Sequence, residues 1–216
     1  MINLTQNRIA LRVMKQSQNL KLVMPAPIEL LWAVVGLLLT IGGTFLEAFV
    51  ANPALIWEHG LQPKSLGVTY QIGAVLLVGC MGGKTAAALS QIAYLALGLT
   101  LLPVFSQGGG FGYLKEPTFG YLLGFIPGAW ICGRFAFKVS PRLESLAFSC
   151  LCGLLSVHII GLSYLVAAHF LHFTNVKNIP LIPAILKYSV YPLPGQLALV
   201  CAVTVLAFVL RCLMFY

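Results

Sequence analysis

Six runs of apolar residues, at about 28–50, 67–83, 85–104, 118–138, 145–170 and 193–213, dominate the chain, and polar or proline-containing intervals separate them. An α-helix needs roughly 20 apolar residues to cross about 30 Å of hydrocarbon, so the pattern predicts an all-α integral membrane protein of six transmembrane helices. A tight turn at Gly82-Gly83-Lys84 joins the second helix to the third. The intervals 51–66, 105–117 and 171–192 are long, so long and short connections alternate.

Composition narrows the class further. Of the 216 residues, 59% are hydrophobic and 8% charged, which makes the bilayer the expected solvent and leaves no length for a soluble catalytic domain. The net charge of +8 comes from 13 Lys and Arg scattered between the apolar runs. Without a basic stripe there is no footprint for nucleic acid, and the cations report topology instead. With both termini cytoplasmic, nine cations (Arg8, Arg12, Lys15, Lys21, Lys84, Arg134, Lys138, Arg142 and Arg211) lie inside and four (Lys64, Lys115, Lys177 and Lys187) outside. The positive-inside rule favours that orientation in a cytoplasmic membrane. Residues 1–24 then form a basic cytoplasmic tail, with Met24 an alternative initiator, and 25–216 the membrane domain. All three long loops fall on the outer face, where a ligand is expected to enter.

Several motifs have a plain packing explanation. Gly120, Gly124 and Gly128 recur every four residues and bare one face of the fourth helix, for close helix packing in preference to a groove for a flat ligand. Gly79 and Gly83 repeat the spacing and read as a packing contact. The stretch Val78 to Thr85 imitates a phosphate-binding loop, but Val78 stands at the first glycine position and no strand precedes it. Any energy from ATP must therefore come from another polypeptide. Cys80, Cys132, Cys150, Cys152, Cys201 and Cys212 lack paired metal-ligand spacing and read as packing residues. His169 and His172, at i, i+3, read as interfacial. No nucleophile or acid–base pattern supports an enzyme, a membrane-embedded lipid enzyme being the weaker alternative, and no metal or cofactor is expected.

Polar side chains inside apolar spans need a bundle interior, a cavity or a partner. Tyr70, Gln71, Gln91, Tyr94, His158, Tyr164 and Gln196 form such a set, and together they suit a neutral polar ligand better than a proton or metal path. Glu47 sits near the outer end of the first helix, at the interface. The connection from Pro103 to Tyr121 stands out most. Gly108, Gly109, Gly110 and Gly112 permit positive φ and close backbone approach, while Phe105, Phe111, Tyr113, Phe119 and Tyr121 supply flat apolar area, as expected of a loop that caps a pocket.

Val68-Thr69-Tyr70-Gln71, Tyr94 to Gly98, Leu102-Pro103-Val104-Phe105, Gly108 to Tyr113 and Pro117 to Phe125, with a looser match through His158, Gly161 and Tyr164, resemble the BioY-like, biotin-specific S components of energy-coupling factor transporters. The resemblance covers about residues 25–213. It implies a six-helix protein that binds biotin near the outer face under extracellular loops, partnered by a transmembrane coupling subunit and two ATPase subunits. A biotin precursor or another small vitamin is the alternative ligand. Expected ligand contacts are Gln71, Tyr94, Tyr121, His158, Tyr164 and Gln196 as hydrogen-bonding groups, Phe105, Phe111 and Phe119 as walls, and Gly108, Gly109, Gly110, Tyr113 and Thr118 from the capping loop.

Two departures from the family pattern bear on function. Many members open the sixth helix with Pro-Gly-Asp and a Lys three residues later, whereas this chain has Pro194-Gly195-Gln196 and then Leu199. Losing both partners avoids a buried unpaired charge and leaves Lys187, Lys115 or backbone N–H groups to hold the biotin carboxylate. The first helix also lacks the paired alanines used for docking on the coupling subunit, with Gly36 and Thr40 as a small-residue substitute.

Overall fold

A computed structural model describes residues 26–51, 63–100, 102–171 and 180–215. Arg8, Arg12, Lys15, Lys21 and Met24 of the expected tail, together with His172 and Lys177, lie outside the described residues. The elements are α1 (Ala26–Phe45), β1 (Glu47–Ala51), β2 (Pro63–Thr69), α2 (Gln71–Thr100), a 3-10 turn (Phe111–Lys115), α3 (Phe119–Ala136), α4 (Leu143–Phe170), a short α5 (Leu181–Ile185), a π-helical turn (Leu186–Val190) and α6 (Leu193–Phe215). By length and composition, Pro27–Phe45, Gln71–Thr100, Leu143–Phe170 and Leu181–Met214 are apolar enough to cross a membrane. Leu30, Leu38, Leu155, Ile159, Val205 and Leu213 are exposed on the exterior. An outward apolar surface of this kind is what lipid contact requires, and the chain is a multi-pass membrane protein.

The second and third apolar runs form one continuous element, α2, that folds back on itself. Gly83 adopts φ 76° and ψ −179°, and the limbs on either side, 71–82 and 84–100, run antiparallel. The reversal follows from contacts: Gln71 donates from Nε2 to the Tyr94 hydroxyl at 2.9 Å, although 23 residues separate them. Gly83 is thus required for its backbone conformation. A Cβ there would meet the Phe137 ring no closer than 3.7 Å, so the expectation that Gly83 repeats the packing role of Gly79 gives way to a turn role. Gly83→Ala should cost roughly 1–2 kcal/mol, the price of placing an L side chain in a region reserved for glycine. A lowered Tm with unchanged ligand affinity is the expected readout.

Gly79 itself packs as expected, since a Cβ there would stand 3.0 Å from the Cys132 side chain. The glycine ridge of α3 also serves packing. A Cβ at Gly124 would stand 2.8 Å from the Val157 carbonyl oxygen, one at Gly128 would meet Val157 Cγ2 at 2.6 Å and the Gly153 carbonyl at 3.0 Å, and one at Gly120 would collide with Tyr164. Backbone therefore lies against backbone along α3 and α4. The small residues of α1 face inward too. A Cβ at Gly36 would meet Val78 and Ser90. Thr40 is fully buried, accepting from Gln91 Nε2 at 3.0 Å. The Gly36/Thr40 face is consequently spent on α2, which corrects its reading as an external docking motif.

The all-helical expectation needs one addition. The first helix ends at Phe45, five residues short of the apolar run, and β1 pairs antiparallel with β2 in a two-stranded sheet. Glu47 faces Thr69 and Phe49 faces Ser65 across it, with an irregularity between Glu47 and Phe49. Period-two alternation explains the switch: Ala48 is buried while Phe49 is exposed. Ser65 donates to the Glu47 carboxylate, and the Tyr70 N–H donates to the Leu46 carbonyl at 2.9 Å, closing the sheet onto the start of α2. Glu47 thus satisfies a strand neighbour at the bundle's end.

Two ends of the bundle are now distinct. One gathers Gly83, Lys84, Gly133, Phe137 and Arg211, because a Cβ at Gly133 would stand 2.5 Å from the Lys84 nitrogen and Arg211 donates to the Ala136 carbonyl at 2.8 Å. The other carries the sheet, the 102–118 connection, α5 and the first turn of α6.

Candidate functional site

A cavity of 220 Å³ opens at the sheet-bearing end. Gly67, Val68 and Thr69 of β2, Gln71 and Ile72 of α2, Ser106 and Tyr113 of the long connection, Thr118, Tyr121, Leu122 and Phe125 at α3, Val157 of α4, Lys187 and Tyr188 of the π-helical turn, and Pro192 and Gln196 at α6 line it. Val68, Ile72, Leu122, Phe125 and Val157 form an apolar floor, and the polar groups ring it. Among these lining residues Lys187 is the one charged side chain. No carboxylate lies in the wall, so the site suits a ligand with an apolar body, neutral polar groups and a negative end.

Two glutamines face the cavity, and their partners give them complementary characters. Gln71 Nε2 donates to Tyr94 Oη, whose own hydrogen goes to the Val104 carbonyl at 3.1 Å, with Thr44 Oγ1 3.2 Å away. The Gln71 amide oxygen is left as the acceptor. Gln196 Oε1 lies 2.7 Å from His158 Nε2, and an amide oxygen only accepts, so the imidazole carries the proton there. The Gln196 NH2 is left as the donor. Gly195 makes this placement feasible: a Cβ there would stand 2.6 Å from the Leu66 carbonyl oxygen, so only glycine brings the first turn of α6 against β2.

Two hydroxyl groups complete the ring. Tyr121 Oη lies 2.5 Å from Ser189 Oγ, tying α3 to the π-helical turn, and its ring meets His158 edge-on at 5.9 Å. Tyr113 Oη bridges Ser106 at 3.3 Å and Thr118 at 3.1 Å.

Of the residues expected from sequence, Gln71, Tyr113, Thr118, Tyr121 and Gln196 line the cavity. Tyr94 and His158 stand behind it, orienting the two glutamines. Phe105 is a support: 1% exposed, it packs edge-on against Tyr94 at 5.3 Å and against Tyr113 at 4.7 Å. Phe119 and Tyr164 pack on each other at 5.8 Å, and the Tyr164 hydroxyl donates to the Leu114 carbonyl, so both brace the connection from outside the cavity. Phe111 is 68% exposed and is absent from the lining of this cavity.

The glycines of the connection seat it on the end of α2. The Gly110 N–H donates to the Gly98 carbonyl at 2.8 Å, and a Cβ at Gly109 would stand 2.7 Å from that same oxygen. Gly108 bridges back to Phe105 with φ 107°. Gly109 and Gly110 thus lie in close contact with the end of α2. The connection behaves as a buttressed wall, with Ser106, Tyr113 and Thr118 as its inner face.

Thr69, Ser106, Tyr188 and Pro192 were not anticipated, and Lys187 was anticipated only as one of three possible carboxylate partners. Lys115, the other cation considered, is absent from the lining. Gln91 proves to be an internal tie, fully buried, donating to Thr40 and Ser90 Oγ at 3.0 Å each. Tyr94→Phe should remove a hub between α1, α2 and the connection. A cost of about 1 kcal/mol is expected, read as a lowered Tm and a roughly threefold weaker ligand affinity as Gln71 loses its orienting partner.

The model of the BioY family matches residues 20–214. A probable biotin transporter BioY of Lysinibacillus sphaericus is 34% identical over 157 residues, covering 72% of this chain and 69% of that protein. The biotin transporter BioY of Rhizobium etli is 30% identical over 165 residues, covering 68% and 88%. Among solved structures, the S component for biotin from an ECF-type ABC transporter superposes with a TM-score of 0.64 at 22% identity, covering 88% of this chain and 95% of that one. With a family model spanning nearly all of its length, and an arrangement of helices shared with that S component, the chain belongs to the BioY family.

Proposed function

We propose that this protein binds biotin in the cavity at the sheet-bearing end and is the substrate-specific component of an ECF-type uptake system. The observation that carries the reading is the pairing of a single cation, Lys187, with two oppositely disposed amides across an apolar floor. Biotin has the complementary layout. Its ureido group offers two N–H donors and one carbonyl acceptor, matched by the Gln71 oxygen and the Gln196 NH2. Its fused rings and chain suit Val68, Ile72, Leu122, Phe125 and Val157, and its carboxylate suits Lys187.

The chain crosses the cytoplasmic membrane six times in this reading, through α1, the two limbs of α2, α3, α4 and α6, after a cytoplasmic tail at 1–24. The reversal at Gly83, which lays the two limbs of α2 side by side, supports it, and so does the cation-rich end at Lys84, Arg134 and Arg211 as the cytoplasmic one. Assembly with a membrane coupling subunit and two ATPase subunits supplies the energy. The chain's own role is binding, not catalysis. In support, the Val78–Thr85 stretch that imitates a nucleotide loop is a helix–helix turn.

Calorimetry on protein freed of bound ligand tests the reading. Biotin should bind one to one, and dethiobiotin, which keeps the ureido group and carboxylate but lacks the sulfur ring, should compete more weakly. Absence of biotin binding by folded protein would refute the proposal, and tighter dethiobiotin binding would move the substrate to the precursor.

A further inference from the structure

About two helical turns below the cavity floor, three cysteines converge from three separate helices. Cys80 on the first limb of α2, Cys132 on α3 and Cys150 on α4 are each fully buried, with all three Sγ atoms within 4.8 Å of one another. Cys80 Sγ lies 3.7 Å from that of Cys132 and 3.5 Å from that of Cys150. Gly79 and Gly153 fence the group: a Cβ on either would stand 3.0 Å from the Cys132 Cβ. The helices therefore approach closely enough to bring the thiols into mutual contact. No linear spacing announces this, since the three residues belong to three different apolar runs, and their reading as independent packing residues does not account for the convergence.

We propose that Cys80, Cys132 and Cys150 form a three-sulfur binding site for a soft d10 cation, Cu(I). With a metal–sulfur bond of about 2.3 Å, a trigonal plane of three sulfurs places them ~4.0 Å apart, close to the spacing already present. Thiolates select Cu(I) and Zn(II) over harder ions. Structural Zn(II) takes four ligands, and the cluster supplies three. Binding of Cu+ with release of two thiol protons leaves two thiolates and one thiol around the metal, a net charge of −1. Arg211 stands nearby to offset it: its guanidinium donates to the Ala136 carbonyl, one helical turn beyond Cys132, and lies 4.4 Å from the Phe137 ring centroid. The Gly83 turn lies three residues past Cys80, at that same end of the bundle.

The test is an anaerobic titration of the full chain in detergent, with Cu(I) supplied as its bicinchoninate complex. One equivalent should be withdrawn per chain, with a near-ultraviolet thiolate-to-copper band. Cys132→Ser and Cys150→Ala should each weaken binding at least tenfold, their folding checked by gel filtration and Tm. The exposed Cys201 and Cys212 serve as controls, and serine there should change nothing. Failure of the folded native chain to take copper, copper that follows Cys201 or Cys212, or a Cys80–Cys150 disulfide forming in place of metal uptake would each overturn the proposal.

Discussion

Lys187→Glu should weaken biotin binding by about 30-fold to a few hundredfold. Two contributions add. A hydrogen bond to a charged group is worth roughly 1.5–3 kcal/mol when sheltered, and an exposed ion pair under about 1. Lys187 sits at the exposed mouth of the cavity, so ~1–2 kcal/mol is the middle estimate for the lost attraction. Two carboxylates facing each other add a repulsion of similar size, and each 1.4 kcal/mol is tenfold in Kd. Lys187→Ala should show only the first part, about 5- to 30-fold. Biotin amide, which is neutral, should bind the native protein and both variants with similar affinity. Calorimetry in low and moderate salt checks the assignment, because the difference between biotin and its amide should shrink as salt rises. An equal loss for both compounds would place the carboxylate elsewhere.

The same site shows why the sixth helix tolerates its unusual first turn. Where many relatives are expected to place an acid and a base, this chain has Gln196 and Leu199, and Leu199 is buried against α2 and lines no part of the cavity. A neutral pair needs no compensating charge in a poorly solvated wall, whereas removing one member of an ion pair would strand the other. Gln196 instead accepts from His158 at 2.7 Å, which leaves its NH2 as a donor in the cavity lining. The one cation of the cavity lining is Lys187, exposed on the π-helical turn.

Apolar periodicity carried most of the architecture. The runs at 118–138, 145–170 and 193–213 lie within two residues of α3, α4 and α6, because long hydrocarbon-spanning helices follow composition closely. The signal failed where the chain leaves hydrocarbon. Residues 47–50 are apolar enough to extend a helix and form a strand instead, a choice made by pairing with 63–69 that no single window contains. Leu181–Val190 read as loop because Pro180 and Pro183 interrupt it, yet it folds into a short helix and a wide turn that deliver Lys187, Tyr188 and Ser189 to the site. Aromatic content singled out the 103–121 connection, of which Ser106, Tyr113, Thr118 and Tyr121 line the cavity. Sequence cannot say which of Phe105, Phe111 and Tyr113 faces inward, because that depends on how Gly109 and Gly110 seat against the last turn of α2.

Gly124→Leu is expected to be among the most damaging single changes in the membrane domain. Most overpacking mutations cost about 1–3 kcal/mol because a neighbouring side chain can swing aside. Here the neighbours are backbone: the Val157 oxygen at 2.8 Å and its Cα at 2.9 Å from the new Cβ. Backbone in a packed helix has no rotamer to change, so α3 and α4 must separate along their length, and the cost should exceed ~3 kcal/mol. The separation also reaches the cavity, since Leu122 lies two residues before Gly124, Phe125 one after it, and Val157 is itself part of the floor. Expression in membranes should fall sharply, and any surviving protein should lose biotin binding along with thermal stability. Gly124→Ala sets the scale between the two extremes: a single methyl meets the same oxygen, so a Tm drop smaller than that of the leucine variant but larger than that of Gly83→Ala is expected. Gly42→Ala is the control, because nothing lies within 4 Å of a Cβ at that position. If Gly124→Leu kept native Tm and affinity, α3 and α4 would not be in backbone contact, and the floor of the cavity would need another support.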